Sequence, residues 1–135
     1  MMSVRYGWFD EAHTIILYDL EAGWQWADLE NAITNVDRMI REVDYPVYTI
    51  VDTSQVNRIP PDILSSIHWG TFNAAPNWRF GVFVGANAFL RALLNTFSRL
   101  YPRFRERYVT ADSLEEAVAL ITERQREASD KLNLQ

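Results

Sequence analysis

Apolar spacing carries most of the structural information in this chain. Trp26, Leu29, Ile33, Val36, Ile40 and Val43 recur at intervals of 3, 4, 3, 4 and 3, one stripe of a 3.6-residue helix. Asp28 and Glu30 stand near its start and Arg38 and Arg41 near its end, the arrangement a helix dipole favours. Gly23 precedes it and Pro46 ends the turn that follows. Residues 47–51 are a continuous β-branched and aromatic run, and Phe80-Gly81-Val82-Phe83-Val84 is a second apolar run, stopped by Gly85. Runs without alternation predict strands covered on both faces. Residues 4–9 and 13–20 are β-rich and flank Asp10-Glu11-Ala12, which predicts an opening hairpin.

Pro60-Pro61-Asp62 predicts a further helix start, with Pro61 at its first position and Ile63, Leu64 and Ile67 inward. Ile59 is placed to staple against Leu64. Asn87 is a predicted N-cap for a helix carrying Phe89, Leu90, Leu93, Leu94, Phe97, Leu100 and Tyr101. That stripe is wide enough to pack on a sheet and still offer Phe97 or Leu94 to a neighbour. Pro102 is expected to close the helix. Residues 107–110 read as a last short strand, and Ser113-Leu114-Glu115-Glu116 as a capping box before Ala117, Val118 and Ile121. The predicted class is α/β, order ββαβαβαβα, with a mixed, mostly parallel sheet. One domain is expected over residues 1–128, with a frayed tail from 129 to 135.

The length of 135 residues suits one domain. The absence of cysteine excludes disulfides, thiolate zinc sites and thiol catalysis. No run approaches the roughly 18 apolar residues of a membrane span, and the start has no signal-peptide pattern, so a cytoplasmic protein is expected. The net charge is −5, unevenly spread: −7 over residues 1–78, +5 over 79–111 and −3 over 112–135. An acidic chain argues against nucleic-acid binding. The basic middle block is a candidate patch for an anion or partner, and 12 of the 13 basic residues are arginine, the better bidentate donor.

Catalytic patterns are missing. His13 and His68 lack metal-ligand spacing, no serine sits in a G-x-S-x-G elbow, and there is neither a G-x-G-x-x-G nor a P-loop. Neither catalytic residues, a metal nor a cofactor is expected. Trp24, Trp26, Trp69, Phe72 and Trp78 cluster around the first two helices in sequence. They read as core, or as an apolar surface for a partner, a second copy or a lipid tail.

With Ile50-Val51-Asp52-Thr53-Ser54-Gln55-Val56 ending the third strand, this order resembles the STAS domain, the sulfate-transporter and anti-sigma-factor-antagonist family, and more closely its SpoIIAA-like branch. That branch in turn looks like a small CRAL-TRIO lipid-binding domain. Val82-Phe83-Val84-Gly85-Ala86, Tyr101-Pro102 and the segment from Ala111 to Ala117 agree with the resemblance, which spans nearly the whole chain. Antagonists of the family carry a phosphorylated serine in a turn opening the second helix. Here that place reads Asn57-Arg58-Ile59-Pro60-Pro61-Asp62-Ile63-Leu64. Ser65 and Ser66 fall inside the helix. The resemblance thus implies the fold and a binding role without the serine phosphoswitch.

Ligands of such sheets favour the loops after the strands' C-terminal ends, here residues 52–58, 85–88 and 110–113. The candidate partner- or anion-binding residues are Asp52, Thr53, Ser54, Asn57, Arg58, Gly85, Asn87 and Arg91. The alternative at this rim is purely local: Asp52 and Ser54 bond their own turn and Asn87 only caps. The expected function is a non-enzymatic regulatory or protein-binding module, with self-association as a homodimer. The alternative is a carrier of a lipid or small apolar molecule in a pocket between sheet and helices.

Overall fold

A computed structural model describes residues 4–56 and 74–133. In chain order the described elements are β1 (Val4–Trp8), β2 (Ile15–Leu20), α1 (Trp26–Arg41), β3 (Val47–Asp52), β4 (Trp78–Val84), α2 (Ala88–Leu100), α3 (Pro102–Arg107), β5 (Tyr108–Ala111) and α4 (Leu114–Asn133). The five strands form one sheet in the order β1-β2-β3-β4-β5. β1 runs antiparallel to β2, and every other pair is parallel. The α/β class, the hairpin and the mixed sheet agree with expectation. The helix predicted from Pro61, with Ser65, Ser66, His68, Trp69 and Phe72, lies outside the described residues.

The continuous apolar runs are explained by helices on both faces. From β2, Ile16, Tyr18 and Leu20 pack with Val47, Trp78 and the Leu29, Ala32, Val36 and Ile40 stripe of α1. On the other face, Ile15, Tyr48, Ile50, Phe80, Val82 and Val84 pack with Ala117 and Ile121 of α4. α2 and α3 lie on the α1 side, where Phe83 meets Leu90, Leu94, Phe97 and Phe104. Val47, Ile50 and Val82 are all 0% exposed, so each contributes its full transfer free energy, about 1.5–3 kcal/mol.

Local polar bonds fix the joints. Asp10 accepts from the Thr14 and Ile15 amides at 2.8 and 2.9 Å and from the Thr14 hydroxyl, closing the hairpin turn. The Asn77 amide donates to the carbonyls of Ile40, Val43 and Tyr45 at 2.8–3.1 Å. Carbonyls left open at the end of α1 are satisfied in this way. Ser113 and Asn87 cap as expected, accepting from the Glu116 and Leu90 amides.

Two expectations are corrected. The stop at Pro102 holds, with α2 ending at Leu100, but Pro102 also opens a helix that was not expected, α3, at the first helical position. Tyr101, in extended backbone, ends α2 and caps α3 at once, and proline at that position has no amide hydrogen to lose. The order therefore gains a helix between α2 and β5. Leu94 and Phe97 are not offered to a neighbour: each is 4% exposed, because the centre of the α2 stripe faces the sheet. The last helix, α4, runs from Leu114 to Asn133. Among the described residues, no helix is long and apolar enough to cross a membrane.

Candidate functional site

Because β2 to β5 are parallel, their C-terminal ends share one rim. Three loops on it are stitched by hydrogen bonds. Thr53 is 3% exposed; its amide and hydroxyl both donate to the Val84 carbonyl, at 2.8 and 2.7 Å. The Gly85 amide donates to the Ala111 carbonyl at 3.0 Å. The ends of β3, β4 and β5 are thereby held in register beyond the strands themselves.

Exposed Ser54 sits at the centre of this rim. Its amide and hydroxyl donate to one Asp52 oxygen at 3.0 and 2.6 Å. Gly85 takes φ +70°, and a Cβ built on it would fall 2.9 Å from the Ser54 Cβ. Only glycine gives this approach in that backbone conformation without strain. The Asn87 side chain accepts from the Leu90 amide at 2.8 Å. Arg91 donates through Nε to the Ala86 carbonyl at 3.1 Å and through Nη2 to Asp112 at 2.5 Å.

Of the predicted site residues, Asp52, Thr53, Ser54, Gly85, Asn87 and Arg91 come together on this rim. Asn57 and Arg58 lie outside the described residues. Each described polar side chain already has a partner within the chain. The Arg91 charge faces Asp112, with both groups substantially exposed, which makes the pair worth about 0–1 kcal/mol.

The rim also has a part that the sequence reading missed. β2 runs parallel to β3, so its end joins the same edge. Asp19 stands in register beside Asp52. Its carboxyl is pushed above the usual range, first by desolvation and then by the Asp52 and Glu21 charges, against the opposing pull of Arg5. Arg5 pairs with Glu21 at 2.6 Å. No local pattern marks this: only the parallel pairing of β2 with β3 delivers the loop after the hairpin to the common rim. In the same loop Trp24 is buried, and its Nε1 meets no acceptor among the described residues.

The histidine reading gains detail at His13. Its ring is stacked on Trp8, 4.9 Å between centroids and 4° between planes. Among the described residues, no three His, Asp or Glu side chains gather as a metal would require. Trp78 is core, donating Nε1 to the buried Thr49 hydroxyl at 3.0 Å; Trp26 is half-buried, and Trp69 and Phe72 are outside the described residues. The chain finds no match among models of known protein families, among curated proteins or among solved structures.

Proposed function

We propose that this chain is a non-enzymatic regulatory module of STAS or SpoIIAA-like type, which docks a protein partner on the rim around Asp52, Thr53, Ser54 and Gly85 and works without a serine phosphoswitch. The carrying observation is the Ser54–Gly85 junction. Two loops from neighbouring parallel strands meet there in close backbone contact, with Ser54 exposed at the crest. A rim whose polar groups are already bonded to one another is preorganised, and a rigid surface loses little entropy when a partner settles on it. The neighbouring sheet order, one antiparallel hairpin followed by parallel strands, also supports the kinship.

A photo-crosslinking amino acid placed at Ser54, in cells of the native host, tests the reading. The expected result is one dominant adduct with a second protein, absent when the same group replaces Asn31 on the exposed side of α1. Equal labelling from both positions, or no adduct from a folded Ser54 variant, would remove the rim as the docking surface.

A further inference from the structure

The helix α2 is bound to the sheet by its central stripe, Leu90, Leu94 and Phe97. One flank remains outside. Phe89 is 63% exposed and Leu100 is 67% exposed, while Leu93 between them is half-buried, packed in part on the α1-side core, and Thr96 is exposed. Residues 89, 93, 96 and 100 follow intervals of 4, 3 and 4, the spacing of a helix-pairing seam. At 1.5 Å per residue the seam is about 16 Å long.

Its electrostatic setting is one-sided. α2 contains two arginines and no acid, and the block 79–111 carries +5 in a chain whose remainder is acidic. Arg91 lies on the opposite flank and is engaged by Asp112. Arg99 is exposed next to Leu100, and Arg103 and Arg105 of α3 are exposed just beyond it. The end of the seam therefore lies in the chain beside three exposed arginines against one exposed acid, Glu106.

We infer that this flank of α2 receives an acidic amphipathic helix from a partner protein, its apolar residues set at the same intervals of 4, 3 and 4. The inference rests on the reading of the chain as a protein-binding module and names the chemistry of a partner. A second copy fits the seam less well. Two-fold antiparallel pairing would bring Arg99 of one α2 to the positive N-terminal end of the other, with no acid on either helix to offset it. Acidic residues flanking an apolar seam on the incoming helix meet Arg99 and Arg105 favourably.

The probe is a fluorescein-labelled synthetic helix with leucines at those intervals and glutamates beside them, with a lysine counterpart as control. Titration is followed by fluorescence anisotropy. Saturable binding of the glutamate helix is expected, with none of the lysine helix. Affinity should fall at least ten-fold in a Phe89→Ser, Leu100→Ser double variant and again in Arg99→Glu, with far-ultraviolet dichroism unchanged because all three side chains are exposed. Absence of binding, or equal binding of both peptides, overturns the inference. So does a concentration-dependent doubling of mass that the double variant abolishes, which would give the seam to a second copy. Sedimentation with phosphatidylserine vesicles, lost in the same variants, would give it to a bilayer and also overturns it. The rim reading is separable: if the Ser54 adduct forms in wild type and survives in the double variant and in Arg99→Glu, while the peptide does not bind, the seam fails and the rim stands.

Discussion

Gly85 and Ser54 are in contact across two loops: a Cβ on Gly85 would lie 2.9 Å from the Ser54 Cβ and 3.1 Å from its Cα, at a backbone φ of +70°. Gly85→Ala therefore meets two obstacles. The left-handed backbone costs an L-residue about 1–2 kcal/mol, and crowding against packed backbone adds about 1–3 kcal/mol. A loss of about 2–5 kcal/mol is expected in urea denaturation. The two contributions separate in a Ser54→Gly background, where the same alanine should cost less because its nearest neighbour is gone. Equal cost in both backgrounds would show that Ser54 bears none of the strain.

Thr49 and Trp78 form a polar bond inside an apolar layer. Both are buried, and the indole Nε1 donates to the threonine hydroxyl at 3.0 Å. Thr49→Val keeps the shape and removes the acceptor. An unpaired buried donor costs about 1–3 kcal/mol, so that loss of stability is expected, while Thr49→Ser retains most of the bond. Chemical denaturation of the two variants side by side checks this. A valine variant as stable as wild type would mean that Trp78 finds another acceptor.

Two carboxylates give opposite pH signatures. Burial works to raise the Asp10 carboxyl, but bonds from the Thr14 hydroxyl and the Ile15 and Thr14 amides outweigh it, and the group is held below its ordinary 3.8. A depressed acid stabilises the fold above the ordinary value and loses that contribution as pH falls through the folded value. Asp10→Asn should flatten the acid limb of the stability curve below pH 3.8. Asp19 is raised above 3.8 by desolvation and by Asp52 and Glu21. Its favourable contribution is complete below 3.8 and is lost as pH rises through the folded value. Asp19→Asn should therefore be more stable than wild type at neutral pH and unchanged in strong acid. Thermal melts across the acid range read both slopes.

How far the sequence could be read depends on how local each cause is. Residues 47–51 and 80–84 were legible because burial on both faces leaves no polar alternation to blur a strand. Asn87 and Ser113 were legible because a cap bonds only three residues ahead. The seam residues were not. A wide stripe on α2 does not say which of its positions is central, and the sheet decided that: Leu94 and Phe97 went inward, leaving Phe89 and Leu100 outside. Asp19 joined the rim only through the parallel pairing of β2 with β3, a long-range relation invisible in either strand alone. That the loops opening at Asp52 and Gly85 lie on one edge was legible because a topological rule, the ends of parallel strands sharing one edge, needs only the order of elements.

Phe104 shows what the expected helix stop at Pro102 concealed. Its side chain is 1% exposed, with ring centroids 4.6 Å from Phe97 and 4.5 Å from Tyr108. α3, six residues long, is under two turns and too brief to hold itself; the Phe104 ring anchors it between α2 and β5. Phe104→Ala should cost about 3–5 kcal/mol, the usual penalty for emptying an aromatic site in a core. Pro102→Ala should change stability by no more than about 1 kcal/mol, since the helix start tolerates either residue. Hydrogen exchange at residues 101–108 distinguishes a local from a global effect. Faster exchange in β3 and β4 as well as at residues 101–108 is the expected result in the Phe104 variant, because a loss of this size lowers the free energy of global opening through which the core amides exchange. Acceleration confined to residues 101–108 would instead make α3 a separate unit that opens without Ile50 and Val82.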